Sequence, residues 1–181
     1  MRMTKARKDI SRRAFAVKLD DGAWIVIRHL EPADADAVLA LHNALSQRER
    51  YLRFVTLQPM HLKALADQLA VGQGEDFVLG AFESGALIGV ANYAICAKPA
   101  SAEVAVVVAH HDQERGVGTA MLRRLAQVAR AKGVKHLVAD FLTPNHALFR
   151  VLRDAGLQPR RVRALSGVVH LDVDLSKIAT Y

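Results

Sequence analysis

The sequence predicts one α/β domain, built as a mixed central sheet with helices on both faces. Its 181 residues, 51% of them hydrophobic, suffice for one core and do not require a second domain. Segments with the two-residue apolar period of strands alternate along the chain with segments that have the wider apolar period of helices. In order, these segments predict a strand, three helical pieces, three strands, a helix, a strand, a helix and two strands.

Residues 1–14 are expected to form a basic, flexible tail ahead of a single domain at residues 15–181. Six cations in this tail are opposed by Asp9 alone: Arg2, Lys5, Arg7, Lys8, Arg12 and Arg13. No apolar segment follows these charges, so they do not form a secretory signal. No apolar run in the chain approaches the roughly 18 residues of a membrane helix. A soluble cytoplasmic protein is therefore expected.

The first third of the domain predicts one strand and then helices. Residues 23–28 have the aromatic and β-branched composition of a strand. Pro32, followed by acidic residues, is typical of a helix start, and Ser46 with Glu49 forms the capping box of a second helix. A third helix begins at Pro59 and has four apolar residues on one face: Leu62, Leu65, Ala66 and Leu69.

The rest of the chain predicts a meander, two helices and a closing hairpin. The meander strands are expected at residues 77–82, 87–93 and 102–109. A helix from Val117 ends at Gly133, and a second from Asn145 ends at Gly156. The remaining strands are expected at residues 135–140, 158–163 and 168–174.

The loop Gln113–Thr119 is a candidate anion-binding site. It reads Q-E-R-G-V-G-T and places Gly116 and Gly118 where a helix begins, directly after a valine-rich strand. The first turn of a helix has unpaired amides and the positive end of the dipole, and glycine lets a phosphate reach those amides. A pyrophosphate is the predicted ligand. The alternative is that the two glycines serve only a tight connection between strand and helix.

Other nucleotide-binding loops and cysteine-based sites do not match. A Walker loop requires a lysine after its last glycine, and a dinucleotide-binding loop requires a third glycine; neither follows Gly118. The single cysteine, Cys96, excludes an internal disulfide and a cysteine-based zinc cluster. No metal site is predicted.

The pattern Q-x-x-G-x-G after a valine strand resembles the coenzyme A signature of the GCN5-related N-acetyltransferases (GNAT). The order of elements from about residue 22 is similar to that family as well. The resemblance implies a mostly antiparallel sheet and acetyl-CoA as co-substrate, without a metal. The segment from Asn145 to Leu157 is similar to the second cofactor segment of the family, which implies that Asn145 binds the pantetheine or phosphate region; alternatively, Asn145 only caps its helix.

The resemblance also implies which residues hold coenzyme A. Main-chain groups of Val106, Val107 and Val108 would lie on a strand splayed from its neighbour and pair with pantetheine. The loop amides would hold the pyrophosphate, with contributions from Gln113, Glu114, Arg115, Gly116, Val117, Gly118 and Thr119.

The N-terminal part resembles the acyltransferase domain of bacterial protein lysine acetyltransferases. The matching residues are Asp21, Gly22, Arg28, Pro32, Asp34, Ser46, Arg50, Tyr51, Arg53 and Phe54. This similarity implies Glu103 as the general base. A carboxylate with a pKa near 4.3 is a weak base for an ammonium group, so burial beside the valines that follow is expected to assist it. An exposed glutamate with no catalytic role is the alternative.

Several polar residues near this site have open assignments. Many relatives have a tyrosine proton donor seven residues after the asparagine, where this chain has Leu152. Asp140 ends a strand at the expected ligand edge, where it would contact the amine or serve the entry to the next helix. His110 and His111 are interpreted as solvated loop residues, and Cys96 as a core residue.

The net charge of +7 invites a nucleic-acid interpretation. Outside the tail, the cations concentrate on the loop helix and beyond it: Arg115, Arg123, Arg124, Arg130, Lys132, Arg150, Arg153, Arg160, Arg161 and Arg163. A basic rim also suits the phosphates of coenzyme A, and solvated helix faces explain many of these residues. No aromatic residues are interleaved with the cations, so a nucleic-acid partner is disfavoured.

The sequence therefore predicts an acetyl-CoA-dependent N-acetyltransferase whose acceptor is a primary amine, preferably a protein lysine. Two alternatives remain at this stage: a small-molecule amine as acceptor, or a non-catalytic acyl-CoA-binding or nucleic-acid-associated module. Acetyl-CoA and the amine are the expected partners, no membrane partner is expected, and a homodimer is compatible with the sequence.

Overall fold

A computed structural model of the chain describes residues 13–46, 49, 62–71, 74–142 and 146–177. The strands are β1 (Phe15–Lys18), β2 (Trp24–His29), β3 (Phe77–Glu83), β4 (Ala86–Ile95), β5 (Ser101–Val108), β6 (His136–Leu142), β7 (Pro159–Leu165) and β8 (Val168–Asp174). The helices are α1 (Ala35–Ala44), α2 (Leu62–Val71), α3 (Val117–Ala131) and α4 (His146–Asp154). Short 3₁₀ turns occupy Pro32–Asp34, His110–Asp112 and Leu175–Lys177.

The strands form one sheet with the order β1-β2-β3-β4-β5-β6-β8-β7. Neighbouring strands are antiparallel except for β5 and β6, which are parallel and are connected through α3. The predicted mixed, mostly antiparallel sheet is therefore confirmed. The second strand of the last hairpin, β8, pairs with β6, and β7 lies outside it.

Helices cover the sheet on both faces, as predicted. On one face, α3 and α4 close the larger core, in which Met121, Leu125 and Leu152 contact the sheet. On the other face, α1 and α2 close a smaller core around Val38 and Val90. Over the described residues, no helix is both long and apolar enough to cross a membrane.

The structure contains one strand that the sequence analysis did not predict. β1 has only four residues and pairs along β2 from Phe15↔Ile27 to Lys18↔Trp24. The turn between the two strands is closed by a hydrogen bond from Leu19 N to Ala23 O. A four-residue edge strand has too few positions to show a period, so its sequence gave little signal.

The predicted capping box at Ser46 is present. Glu49 N donates to Ser46 Oγ over 3.2 Å, and Ser46 N donates to Glu49 Oε2 over 2.8 Å. The helix that this box should start, and the start of the following helix at Pro59, lie outside the described residues. The described part of that following helix is α2.

An ion pair fixes the entry of α1 to the sheet. The Arg28 guanidinium on β2 contacts both carboxylate oxygens of Asp34 at 2.7 and 2.8 Å. It also lies 4.0 Å from the centroid of the Phe82 ring. Asp34 in turn accepts a hydrogen bond from Glu31 N. The hydrogen bonds from Arg28 lower the pKa of Asp34, so the carboxylate remains charged at neutral pH.

Helix α3 lies close to β4 because Gly89 has no side chain. A Cβ at this position would lie 2.9 Å from Met121 Sδ and 3.1 Å from Val107 O. Contacts this short force neighbouring atoms to move. Gly89 therefore sets the distance between the sheet and the helix that carries the candidate loop.

We expect Gly89→Ala to lower the free energy of unfolding by about 1–3 kcal/mol, because the added methyl overpacks the interface. Urea unfolding followed by circular dichroism measures this value. Gly118→Ala is the matched control, since a Cβ there has only ordinary contacts, the nearest at 3.6 Å from Val108 Cγ2. Equal midpoints for Gly89→Ala and the wild type would contradict the packing argument.

Candidate active site

The strands β5 and β6 separate after a short paired region. They pair at Ser101↔His136, Ala102↔Leu137 and Glu103↔Val138. Beyond this point β6 continues along β8, and β5 continues to Val108 with only β4 as a partner among the described strands. We call the wedge between residues 104–108 and residues 139–142 the fork. The splay that the family resemblance implies is thus found in the structure.

The side chains of β5 divide between the two faces of the sheet. Val104, Val106 and Val108 pack against the larger core under α3. Val107 belongs to the smaller core on the opposite face. Because side chains alternate along a strand, Glu103 lies on the face of Val107. Glu103 therefore sits at the closed end of the fork, on the face covered elsewhere by α1 and α2.

The loop before α3 presents main-chain donors at the open end of the fork. Gly116 precedes the helix in a left-handed conformation, with φ 88° and ψ 0°, and no described side chain caps this helix end. The first helical hydrogen bond is from Ala120 N to Gly116 O, so the amides of Val117, Gly118 and Thr119 precede it. These amides are available to an anion.

The position of Gly118 relates this loop to the fork. A Cβ added to Gly118 would lie 3.6 Å from Val108 Cγ2 and 3.6 Å from Val151 Cγ1. The first turn of α3 is therefore flanked by the last residue of β5 and by α4. An anion at these amides would adjoin the unpaired edge of β5.

Gln113 connects the loop to two other segments. Its Nε2 donates to Val108 O over 3.2 Å and to Glu49 Oε1 over 2.5 Å. The side chain is thus engaged in holding the loop against the end of β5. Glu114 has a positive φ of 62° and an exposed side chain that lies 3.4 Å from Arg150 NH2.

The side chain of Arg115 is turned away from the anion site and is surrounded by three carboxylates. Its Nε lies 2.6 Å from Asp21 Oδ2, its NH2 lies 2.7 Å from Glu83 Oε1, and its NH1 lies 2.6 Å from Asp112 Oδ1. We call this group the Arg115 cluster. The predicted basic rim therefore does not include the Arg115 guanidinium, and only its main chain belongs to the loop.

The Arg115 cluster stabilises the charged forms of its members. Hydrogen bonds from Arg115 lower the pKa of Glu83, while a hydrogen bond from Ala23 N and then those from Arg115 lower the pKa of Asp21. The Arg115 pKa is raised in turn, first by Glu83 and then by Asp21. The cluster joins the β1–β2 turn, the β3–β4 hairpin and the loop before α3.

Glu49 is a site residue that the sequence analysis missed. Besides its capping bonds, its Oε1 lies 3.1 Å from His110 Nδ1 and accepts the hydrogen bond from Gln113. The side chain is only 18% exposed, and although burial opposes ionisation, hydrogen bonds from Ser46, His110 and Gln113 lower its pKa to about 2. The capping box predicted its local role, but contacts across more than 60 residues leave no local signal.

Other predicted site residues have mixed outcomes. Leu152 is 2% exposed and lies in the larger core, so no hydroxyl replaces the missing tyrosine at this position. Asn145 lies outside the described residues. Within the described ranges, no three histidine, cysteine, aspartate or glutamate side chains are close enough to hold a metal ion.

The surroundings of Glu103 differ from the expectation. The burial that was expected to assist it as a base is absent, because its side chain is exposed. Ala105 and Val107, which share the face of Glu103 on β5, lie farther toward the open end of the fork. Val104, Val106 and Val108 lie on the other face of the sheet and do not shield Glu103. Cys96, predicted as core, is partly exposed; burial first, and then the charges of Glu103 and Asp140, raise the pKa of its thiol.

Comparisons with known proteins agree with this geometry. The family model described as the acetyltransferase (GNAT) domain matches residues 25–158. An acetyltransferase from Pseudomonas aeruginosa is 32% identical over 135 residues, which cover 72% of this chain and 73% of that protein. Acetyltransferase Pat from Mycolicibacterium smegmatis is 28% identical over 167 residues, or 91% of this chain. The chain spans 50% of the length of that Pat protein.

A solved structure is similar over most of the fold. The GNAT domain of S. lividans PAT superposes with a TM-score of 0.76 at 27% sequence identity. The match covers 89% of this chain and 96% of that domain. The fork, the loop and the helices on both faces thus occur in a fold shared with that domain.

We expect the Arg115 cluster to make stability depend on acid pH. The folded-state pKa values of Asp21 and Glu83 are lowered, so their stabilising effect is present above the unfolded-state pKa, near 4, and is lost as the pH falls through the folded values. Thermal unfolding between pH 6 and 3 should therefore show a shallower loss of Tm for Arg115→Met than for the wild type.

The control for this experiment is Arg153→Met, whose partner Asp154 is an exposed neighbour on α4. Its Tm should follow the pH dependence of the wild type. If Arg115→Met and the wild type lose Tm in parallel, the cluster does not contribute to acid stability.

Proposed function

The chain belongs to the GNAT family of acetyltransferases and is an acetyl-CoA-dependent N-acetyltransferase, in which we propose that Glu103 accepts a proton from the amine and that a protein lysine is the acceptor. The observation that carries this assignment is the continuity of the fork. Its unpaired β5 edge runs from the amide donors before α3 to the carboxylate of Glu103. A phosphate-bearing thioester held at one end would place its acyl group toward the other.

The residues present fit coenzyme A. When bound, acetyl-CoA supplies an activated acetyl thioester. The amides of Val117, Gly118 and Thr119 would hold the pyrophosphate at the uncapped start of α3. Main-chain groups of β5 from Val106 to Val108 would pair with the pantetheine, since no described strand occupies that edge. Asn145 is retained as a proposed contact to the same carrier.

Glu103 defines the side from which the amine approaches. The α3 side of β5 is filled by the valines of the larger core, whereas the opposite side carries the exposed Glu103 carboxylate. An ammonium group entering from that side would meet the carboxylate at the closed end of the fork. Glu103 would accept a proton from the ammonium group, and the freed nitrogen would then attack the acetyl carbon while the carbon–sulfur bond breaks and releases coenzyme A. A main-chain amide of Val106–Val108 would polarise the carbonyl.

A protein lysine suits the shape of this approach. β6 and β8 continue the Glu103 face with polar side chains, and no described helix covers them. This open surface admits a side chain carried by a folded protein. The resemblance of the N-terminal residues to bacterial protein lysine acetyltransferases supports the same acceptor class. We assign residues 15–181 to one catalytic domain in the cytoplasm, where a single free cysteine is typical.

Acetyl-CoA is expected to raise the Tm of the protein. A ligand that binds the folded state and not the unfolded state adds about 2.7 kcal/mol to the free energy of unfolding when its concentration is a hundred times Kd. Gly118→Val should remove most of this rise, since its branched side chain occupies the approach to the loop amides. Thermal unfolding with and without millimolar acetyl-CoA measures both. An unchanged wild-type Tm would contradict the cofactor site.

The acceptor is tested with a panel of amines: N-α-acetyl-lysine amide, a lysine-containing peptide, spermidine and glycine amide. Coenzyme A release and product mass should identify transfer to the lysine side chain. Turnover of spermidine or glycine amide without any acetyl-lysine would contradict the lysine assignment and leave the transferase activity in place.

Glu103→Gln is expected to lower kcat at pH 7.5 by about 100-fold, because an amide cannot accept the proton. The rise in Tm with acetyl-CoA should persist, since Glu103 does not contact the pyrophosphate site. Asp154→Asn, at an exposed carboxylate ending α4, is the control and should keep the wild-type kcat. Equal turnover by Glu103→Gln would transfer the role to another group.

A further inference from the structure

Two histidine–aspartate pairs lie side by side on β6 and β8. His170 Nδ1 lies 2.5 Å from Asp140 Oδ1, and His136 Nδ1 lies 2.9 Å from Asp172 Oδ1. All four side chains are on the sheet face of Glu103, because the residues between them face the larger core. We propose that the Asp140–His170 pair is a second proton acceptor for the incoming amine. This inference rests on the proposed function and extends it.

Asp140 is placed at the fork by the register of the strands. Glu103 is opposite Val138 in the last pair between β5 and β6. Asp140 follows two residues later on the same face, about 7 Å farther along β6. Asp140 therefore borders the space that the amine enters.

His170 is fixed behind Asp140. The two residues are directly opposite each other in the β6–β8 pairing. A carboxylate only accepts hydrogen bonds, so His170 Nδ1 carries the proton of this bond and Nε2 is the basic nitrogen. Both side chains are about half exposed, at 48% and 49%, so a proton taken up here exchanges with solvent.

The reaction releases two protons when the acceptor arrives as an ammonium ion. An acceptor that arrives as R-NH₃⁺ loses one proton before the nitrogen attacks. It loses a second proton when the carbon–nitrogen bond has formed and the carbon–sulfur bond breaks, leaving the amide and the coenzyme A thiolate. The exposed carboxylate of Glu103 holds one of these protons at a time. Leu152, at the position where many relatives have a tyrosine, is buried and has no group that exchanges a proton.

Charged side chains surround His170 on this face of the sheet. Among described side chains, Asp140 faces it from β6, Arg163 from β7, and Asp172 from its own strand. Two carboxylates thus oppose one guanidinium. Since His170 is one strand beyond Asp140, the proton reaches it through water at the fork, and Asp140 acts as the positioning residue.

The His136–Asp172 pair provides a matched control. It has the same chemistry on the same two strands, but His136 precedes Asp140 by four residues, about 13 Å along β6. This position lies beside the paired start of β5, where His136 is opposite Ser101. Loss of His136 should therefore leave proton transfer at the fork unaffected.

The test is the pH dependence of kcat for the full chain, with acetyl-CoA and either N-α-acetyl-lysine amide or spermidine as acceptor. The wild type should show an acid limb between roughly pH 5 and 8, where histidine changes charge. In His170→Gln this acid limb should be absent, and kcat at pH 7 should be about 100-fold lower than in the wild type. The difference in kcat should become smaller as the pH approaches about 10, where the amine deprotonates unaided.

Asp140→Asn should lower kcat at pH 7 in the same direction as His170→Gln, because the imidazole loses the carboxylate that orients its ring. His136→Gln should keep the wild-type profile, and all variants should keep the Tm rise with acetyl-CoA. A His170→Gln profile equal to that of the wild type, or an equal loss in His136→Gln, would overturn the inference and leave the transferase assignment intact. No turnover of either amine by the wild type would overturn the proposed function itself, and this inference with it.

Discussion

The architecture depends on the point at which β5 leaves β6. Buried main-chain groups must find hydrogen-bond partners, so a strand that loses its neighbour inside a domain is costly unless something replaces that neighbour. Here β5 separates from β6 after Glu103 and, among the described strands, pairs only with β4 as far as Val108. The unpaired edge is therefore open to another extended, amide-bearing chain, and pantetheine, which we propose to pair there, has that character. Gly89 contributes from the other side by letting α3 approach β4 closely enough to place its first turn at the end of β5.

The amide donors at this edge are held before any ligand arrives. The Arg115 cluster fixes the loop to two hairpins, and Gln113 fixes it to the end of β5 and to Glu49. These side chains would contact phosphate poorly, since their polar atoms already have partners. Their effect is to orient the main chain, so that a ligand meets donors that need no rearrangement. Charged residues in this loop therefore hold its main chain in place, and the proposed phosphate contacts are left to the backbone amides.

The sequence predicted the local parts of this arrangement well. The valine strand, the paired glycines and the helix after them are adjacent in the chain, and the structure has them as expected. The capping box could be predicted equally well, because its hydrogen bonds join residues only three positions apart. What could not be predicted depends on distant pairings: the partners of Arg115, the second role of Glu49 and the juxtaposition of Asp140 with His170. The exposure of Glu103 belongs to the same class, because it follows from which strand leaves which neighbour.

The insertion of β8 between β6 and β7 has a consequence for biosynthesis. Among the described strands, β7 has no neighbour other than β8, and β8 bridges it to the rest of the sheet. While residues 168–174 are still inside the ribosome, the nascent chain can complete the meander and α3, but β6 has an open edge and β7 has nothing to pair with. The last third of the sheet, including the strand that carries Asp140, is therefore assembled in one late step. Pausing before that step exposes a strand edge to neighbouring chains, which is the condition that favours aggregation.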